Sequence, residues 1–367
     1  MTNTARVVAY LAPETFAIQE IPLPDLAEDE MIVEVVLCGV DGSELHMYKG
    51  EFSWLNELAP VVFGDEIIGR VQKIGNKAAA DRDLEVGDLV TVESRWPCDG
   101  CRTCDRGQYY LCERRNVFSG YGTLPMSEKP GLWGGYATHV FVPAHALVYR
   151  VPAALSERTA LIACSPLANG LRWVECGNTR SGDHVTVIGP GTQGLACALA
   201  AVRKGATVTL VGLESDADRL AKAREFGVTS TVAIARGEAV ETTVHRIRDA
   251  GGEVDVVVET AGSGSAKQLA LTLVRPMGTV VNVSVTTPAE QPVDWPSLLQ
   301  REITLVNPLS HPNAVDDAFA LAVELLEEGI DIGTWVTDVY PLEEADTAIR
   351  AAAYLLDTRP VKVALRP

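Results

Sequence analysis

The sequence predicts a two-domain α/β protein, an irregular β-rich domain followed by a parallel doubly wound sheet covered by helices. Three observations predict it. At 367 residues the chain exceeds twice the roughly 150 residues of a typical domain, so each part can bury a core without disulfide staples. Residues 1–155 hold short β-branched runs separated by Gly, Pro and other turn residues, as many short strands require. From Asp183 onward, short apolar runs alternate with longer stretches of helical periodicity, and that alternation builds a parallel sheet.

In order, the first domain offers strands at Met31–Leu37, Ile67–Ile74, Leu89–Val92 and Tyr136–Val142. The second offers strands at His184–Ile188, Thr207–Val211, Val254–Val258 and Thr279–Val283. Between and after them lie helical segments at Leu195–Lys204, Asp218–Phe226, Ala239–Ala250 and Ala266–Val274. Beyond Gln300 come an apolar run at Ile303–Val306, amphipathic helices at Ala314–Glu328 and Leu342–Leu356, and a strand at Val361–Leu365. This tail extends the sheet or returns to the first domain. With no repeat or long linker in view, the domains are expected to pack closely around a cleft, where ligands favour binding.

A content of 47% hydrophobic and 22% charged residues excludes a disordered or fibrous chain. The 31 basic and 49 acidic residues give a net charge of −18, a field that repels phosphate backbones and anionic lipid. Nucleic acid and membrane are therefore not expected partners. No apolar run approaches the ~20 residues of a membrane span, and Met1–Pro13 lacks a secretory signal, so a cytoplasmic location is expected.

The strand His184–Ile188 runs into Gly189-Pro190-Gly191-Thr192-Gln193-Gly194 and straight on into a helix. This is G-x-G-x-x-G in the strand–turn–helix context that binds dinucleotides. The first glycine permits the turn, the second lets a pyrophosphate approach, and the third lets helix pack on strand. The helix N-terminus faces the phosphates. An acidic residue about 20 positions on commonly holds the ribose 2′-OH; here the strand Thr207–Val211 is followed by Glu214, and Arg219 opens the next helix. Glu214 could take the ribose of NAD, Arg219 the 2′-phosphate of NADP, or both could be solvated surface residues. The reading leans to NAD.

Of the eight cysteines, Cys98, Cys101, Cys104 and Cys112 share one short loop. Four thiolates at that density suit one closed tetrahedral zinc that organises structure and leaves no vacant position for chemistry.

A β-rich first domain, a C-x2-C-x2-C-x7-C lobe and a dinucleotide fold beginning near residue 180 together resemble the zinc-dependent medium-chain alcohol dehydrogenase superfamily. The segments Gly39-Val40-Asp41-Gly42-Ser43-Glu44-Leu45-His46, Gly64-Asp65-Glu66-Ile67-Ile68-Gly69-Arg70-Val71, Val86-Gly87-Asp88 and Gly134-Gly135-Tyr136-Ala137 are similar to that family's G-x-C-G-T-D-x-H, G-H-E-x-x-G-x-V and related motifs. The resemblance covers the whole chain. It implies a GroES-like catalytic domain formed by residues 1–155 and 300–367, with a structural zinc lobe at 96–115, and a Rossmann coenzyme domain at 156–299. It also implies a homodimer or homotetramer.

The family's catalytic zinc takes a Cys, a His and a third Cys, Asp or Glu. Here those positions read Asp41, Asp65 and, counting back from Gly170, Ser165, while Cys164 lies one place earlier. Glu66, an alternative ligand in some relatives, is retained. Zinc prefers imidazole and thiolate, whereas this set is rich in oxygen, so loss of the catalytic zinc is expected. Three acids held together require neutralisation by a divalent metal, a shared proton or a cationic substrate. Ser43 and His46 fall where the resemblance places a proton relay from the reacting oxygen to solvent.

The expected activity is hydride transfer between NAD(P) and a small carbonyl, alcohol, iminium or activated alkene, using Asp41, Ser43, His46, Asp65 and Glu66. One alternative is a conventional zinc-dependent alcohol, polyol or sugar dehydrogenase using Cys164 with Asp65 or Glu66. Another is a non-catalytic dinucleotide-binding protein. Phe52, Trp54, Tyr121, Trp133 and Trp295 could line a pocket but read more safely as core.

Overall fold

A computed structural model describes residues 3–115, 119–286 and 289–367. The chain forms two compact units, Met1–Cys164 with Phe319–Pro367, and Ser165–Ala318. Among the described residues, no helix is long and apolar enough to cross a membrane.

The first unit is built from sheets that are antiparallel except where Val336–Pro341 runs parallel to Lys362–Arg366. Thr4–Ala12 pairs with Thr15–Pro22 and with Val61–Val62, the hairpin turning through Glu14 at φ +56°. A larger sheet runs in the order Val336–Pro341, Lys362–Arg366, Met31–Val40, Ile67–Ile74, Leu89–Val92 and Val148–Arg150. His139–Val142 also pairs with Met31–Val40. Most of Met31–Val40 is buried, which explains its nearly unbroken apolar sequence.

The pairing registers position the site. Cys38 faces Ile67, Val40 faces Val363, and Ile68 faces Thr91, each across an antiparallel ladder. The end of Met31–Val40, the starts of Ile67–Ile74 and Lys362–Arg366, and the end of Leu89–Val92 therefore share one edge of the sheet. Residues just outside those strands, Asp41, Asp65, Glu66 and the stretch 93–95, are gathered there from segments far apart in sequence.

The second unit is a six-stranded parallel sheet in the order Ser230–Ile234, Thr207–Leu213, His184–Ile188, Val254–Glu259, Val274–Asn282 and Thr304–Val306. Its neighbours on either side of His184–Ile188 come from successive halves of the unit, so the strand order reverses there. Ligands of doubly wound sheets bind at such a point. Every residue of His184–Ile188 is buried, as expected when helices cover both faces.

Several elements differ from the sequence reading. Ser230–Ile234 and the opening hairpin were not legible as strands, because their alternation is only partly apolar. Leu342–Leu356 divides into a 3₁₀ turn, Leu342–Glu344, and a shorter helix, Ala345–Ala352. Residues 300–318 group with the second unit rather than the first, because Thr304–Val306 adds a sixth parallel strand to its sheet. Between the helices Glu157–Ile162 and Ala168–Cys176 lies a π-helical turn, Ala163–Leu167, with Pro166 inside it. Proline has no N–H to give to a helical ladder, and a π turn accommodates one residue more than an α turn.

Candidate functional site

At the shared sheet edge, Asp41 caps the helix Gly42–Tyr48. Its Oδ1 accepts from the backbone N–H of Ser43 at 2.7 Å, the Ser43 hydroxyl at 2.7 Å and the backbone N–H of Glu44 at 2.9 Å. Glu44 completes a capping box by accepting from the Asp41 N–H at 3.1 Å. Glu44 is buried and also accepts from the Tyr136 hydroxyl at 2.6 Å. Burial, then Asp41 and Asp65, push its carboxyl well above the ordinary range, against the pull of the Tyr136 hydrogen bond.

Glu66 is 2% exposed and forms an ion pair with Lys362, itself 4% exposed. Glu66 Oε1 has no hydrogen-bond partner among the described residues. Gly39 makes room for the pair: a Cβ there would fall 2.0 Å from Glu66 Oε2. The ammonium of Lys362 is held above its ordinary pKa by Glu66, with Asp41 and Glu44 adding to the effect and outweighing burial.

Asp65 titrates at about 8, raised by burial first and then by Asp41 and Glu66, with Arg95 and Lys362 opposing. The three acids are thus neutralised partly by the protein's own cations. The sequence reading offered a divalent metal, a shared proton or a cationic substrate; the raised Asp65 carboxyl is in line with the proton, and Lys362 and Arg95 were missed. It also missed Glu44 and Tyr136. A charged residue inside the terminal apolar run was the one available signal for Lys362; Arg95 had none.

The relay expected of Ser43 and His46 is only partly assembled. Ser43 lies against Asp41, but His46 turns to Glu51, with Nδ1 2.6 Å from Oε2. No hydrogen bond joins His46 to Ser43 among the described residues.

The residues at the catalytic metal position do not fit a zinc. Asp41 spends one oxygen on the helix cap, one oxygen of Glu66 pairs with Lys362, and position 65 offers a carboxyl that burial and neighbouring acids hold protonated, not an imidazole. Among the described residues, three or more ligand atoms come together only at Cys98, Cys101, Cys104 and Cys112. The π turn bears on the third position. Cys164 is buried, donates to the Leu161 carbonyl at 3.4 Å, and has its thiol pushed up by burial and then by Glu66.

The cysteine lobe does fit a metal. Its four ligand sulfurs lie within 4.8 Å of one another. The backbone N–H groups of Cys98 and Cys104 point to the sulfurs of Cys104 and Cys101, each at 3.5 Å. Asp99 at φ +49° and Gly100 at φ +152° bend the loop around that point.

The glycine turn divides its labour as the motif requires. Gly189 takes φ +102°, a conformation that favours glycine. A Cβ on Gly191 would meet nothing within 4 Å, leaving the approach open, whereas one on Gly194 would fall 1.8 Å from the Gly189 carbonyl oxygen. The helix Thr192–Arg203 starts at Gly191 with no side-chain cap, so its leading N–H groups remain for a ligand. The Thr260 hydroxyl braces the turn, donating to the carbonyls of Ile188 and Gly189 at 2.9 and 3.0 Å. Gln193 Oε1 is buried without a hydrogen-bond partner among the described residues. Glu214 is exposed beyond Thr207–Leu213, while Arg219 is buried with its guanidinium 3.4 Å from Asp216.

Of the aromatic candidates, Tyr121 and Trp133 pack in the core, Phe52 and Trp54 are half-buried and stacked, and Trp295 is exposed. Among the remaining histidines, His184 is buried against Thr209 and the Glu253 carbonyl, a structural role.

Residues 27–153 match the alcohol dehydrogenase GroES-like domain family, and residues 194–328 match the zinc-binding dehydrogenase family. The chain is 37% identical over 280 residues to the "Probable alcohol dehydrogenase adh" of Mycobacterium tuberculosis H37Rv, covering 75% of this chain and 74% of that one. It is 31% identical over 353 residues to the sorbitol dehydrogenase of Halalkalibacterium halodurans, covering 96% of each. Among solved structures, a "putative zinc-binding dehydrogenase" of Sinorhizobium meliloti 1021, crystallised bound to NADP, is similar with a TM-score of 0.81, 26% identity and full coverage of both chains.

Proposed function

The chain belongs to the zinc-binding, medium-chain alcohol dehydrogenase superfamily and is an NAD(P)-dependent oxidoreductase, and we propose that it moves hydride at a centre without a catalytic zinc. One observation carries this reading. Asp41, which stands where the family has a soft ligand, and Glu66, the acid retained beside position 65, each have an oxygen engaged, by the helix start and by Lys362.

The nicotinamide, when bound at the glycine turn, supplies or accepts a hydride at the substrate carbon. This chain's residues handle the proton. Asp65, held protonated near neutral pH, gives its proton to the substrate heteroatom as charge develops there, and takes it back in the reverse direction. The Ser43 hydroxyl, its hydrogen given to Asp41, accepts a hydrogen bond from the substrate hydroxyl and orients it. The four cysteines would hold a zinc that cross-links their loop.

Glu214 supports NAD over NADP: an exposed carboxylate beyond the second strand suits a ribose hydroxyl and repels a 2′-phosphate. Arg219, buried with Asp216, is poorly placed to attract one. The substrate class supported is a small carbonyl or alcohol, an iminium or an activated alkene.

Metal analysis combined with NAD(P)H oxidation against panels of aldehydes, ketones, imines and enones tests the proposal. One zinc per chain, turnover that survives a chelator, and higher kcat/KM with NADH than with NADPH are expected. A second zinc whose removal abolishes turnover would overturn it in favour of a conventional zinc dehydrogenase. A blank across all panels despite tight NAD(H) binding would favour a non-catalytic role.

A further inference from the structure

We infer that the buried carboxylate of Glu259 is a positioning residue for the nicotinamide half of the coenzyme: from behind, it ties together the turn and the loop across which that half extends. The inference rests on the seat of the dinucleotide at the glycine turn and is independent of the zinc content of the protein.

The sheet order sets the direction. His184–Ile188 has Thr207–Leu213 on one side and Val254–Glu259 on the other, with Val274–Asn282 beyond. A dinucleotide whose pyrophosphate meets the glycine turn extends both ways along the carboxyl ends of these strands. With the adenosine ribose toward Glu214, the nicotinamide half leads over residues 260–262 and 283–285, which follow Val254–Glu259 and Val274–Asn282.

These segments touch one another. A Cβ on Gly189 would lie 3.1 Å from the Ala261 Cβ, and one on Gly262, at φ +80°, would fall 2.5 Å from the Val285 carbonyl oxygen. Glu259 joins turn and loop with a single side chain, itself wholly buried. Its Oε1 accepts from the backbone N–H groups of Ala261 at 2.7 Å and Gly262 at 2.8 Å. Its Oε2 accepts from the Lys267 ammonium at 3.1 Å and from the Ser284 hydroxyl. Lys267, on the helix Gly264–Leu273, also donates to Asn282 Oδ1 and, at 3.0 Å, to Ser284 Oγ.

Stability alone does not call for this arrangement. Well-packed apolar residues often replace a buried ion pair without loss, and the same strand carries valine at 254, 256, 257 and 258. What the carboxylate fixes is direction. A peptide unit is planar and trans, so its carbonyl points away from its N–H. With the N–H groups of Ala261 and Gly262 turned in to Glu259, the carbonyls of Thr260 and Ala261 turn out. Among the described residues, no backbone N–H donates to either of them. They are left as acceptors for a ligand at the carboxyl ends of the strands. A neutral side chain at 259 would hold the two N–H groups less firmly, since hydrogen bonds to an ionised acceptor are the stronger kind.

Glu259→Gln and Ser284→Ala, made in the full-length protein, test the inference by binding rather than by turnover. The probes are NADH and ADP, which keeps the adenosine and pyrophosphate but lacks the nicotinamide and its ribose. Weakening a hydrogen bond to a charged group is a change of about tenfold; NADH affinity is expected to fall by about that factor in Glu259→Gln while ADP affinity stays within about twofold. The emission maximum of bound NADH should move toward that of the free coenzyme. Ser284→Ala, which releases only the loop, should show the same selectivity at smaller size. Equal losses for NADH and ADP, with a lowered Tm, would make Glu259 a residue of the fold alone and overturn the inference. So would an unchanged NADH affinity in Glu259→Gln. Where Glu259→Gln fails to fold, Ser284→Ala decides: a selective loss of NADH affinity supports the inference, and wild-type binding of both probes overturns it. A wild type that binds neither probe overturns the seat of the dinucleotide itself, and the inference with it.

Discussion

Asp65 shows most directly how one residue's surroundings set its chemistry. An aspartate in water titrates near 3.9, whereas here burial and two neighbouring carboxyls bring it to about 8. Because the folded state holds this proton up to about pH 8, reduction should proceed below that value and fall as pH rises through it, while oxidation should rise over the same window. The kcat/KM pH profile of carbonyl reduction is expected to show this descending limb in wild type and to lose it in Asp65→Asn. A limb unchanged in Asp65→Asn would assign the proton to another group, Glu44 being the nearest rival. The sequence offered Asp41, Asp65 and Glu66 as a set to be read together. It could not show their counter-charges, because Arg95 and Lys362 reach that edge only through strand pairing, Lys362 from the far end of the chain.

The glycine turn was the most legible element, since strand, turn and helix are contiguous and each glycine's duty is local. Its energetics separate the three positions. At Gly194 a methyl group would meet the Gly189 carbonyl at 1.8 Å, a clash with backbone that no rotamer relieves, whereas at Gly191 the space is open. Gly194→Ala is therefore expected to weaken NADH binding more than tenfold and to lower Tm. Gly191→Ala should weaken binding while leaving the Tm of the ligand-free protein within about 1 °C. Titration by nicotinamide fluorescence with parallel thermal melts checks both, and equal Tm losses in the two variants would refute this division. The π turn at Ala163–Leu167 was illegible for the opposite reason. An added residue in a helix leaves the hydrophobic pattern almost unchanged, so the sequence carries no sign of the turn that holds both Cys164 and Ser165.

For the molecule as a whole, a two-part α/β organisation was readable from texture alone, because β-branched runs and strand–helix alternation occupy different lengths of chain. The allotment of the tail was not, since a three-residue strand such as Thr304–Val306 carries no signal of which sheet it will join. That strand is the edge of the second unit's sheet. Near it Trp295 is 66% exposed and Leu299 80%, with Leu305 also exposed. Open edges beside large apolar side chains invite pairing, so the protein is expected to self-associate through this face. Sedimentation velocity should give a dimer or tetramer for wild type and a smaller species for Leu299→Glu. A monomeric wild type would remove the expectation.

Asp41 also sets what a soft ligand at this position would cost the fold. Replacing it with cysteine forfeits the three hydrogen bonds that begin the helix Gly42–Tyr48, about 1 kcal/mol for a lost cap. That loss comes before any ion can be gained, for position 65 would still lack an imidazole. A single substitution therefore builds no metal site here: Asp41→Cys alone weakens the helix start and leaves the set still short of ligands.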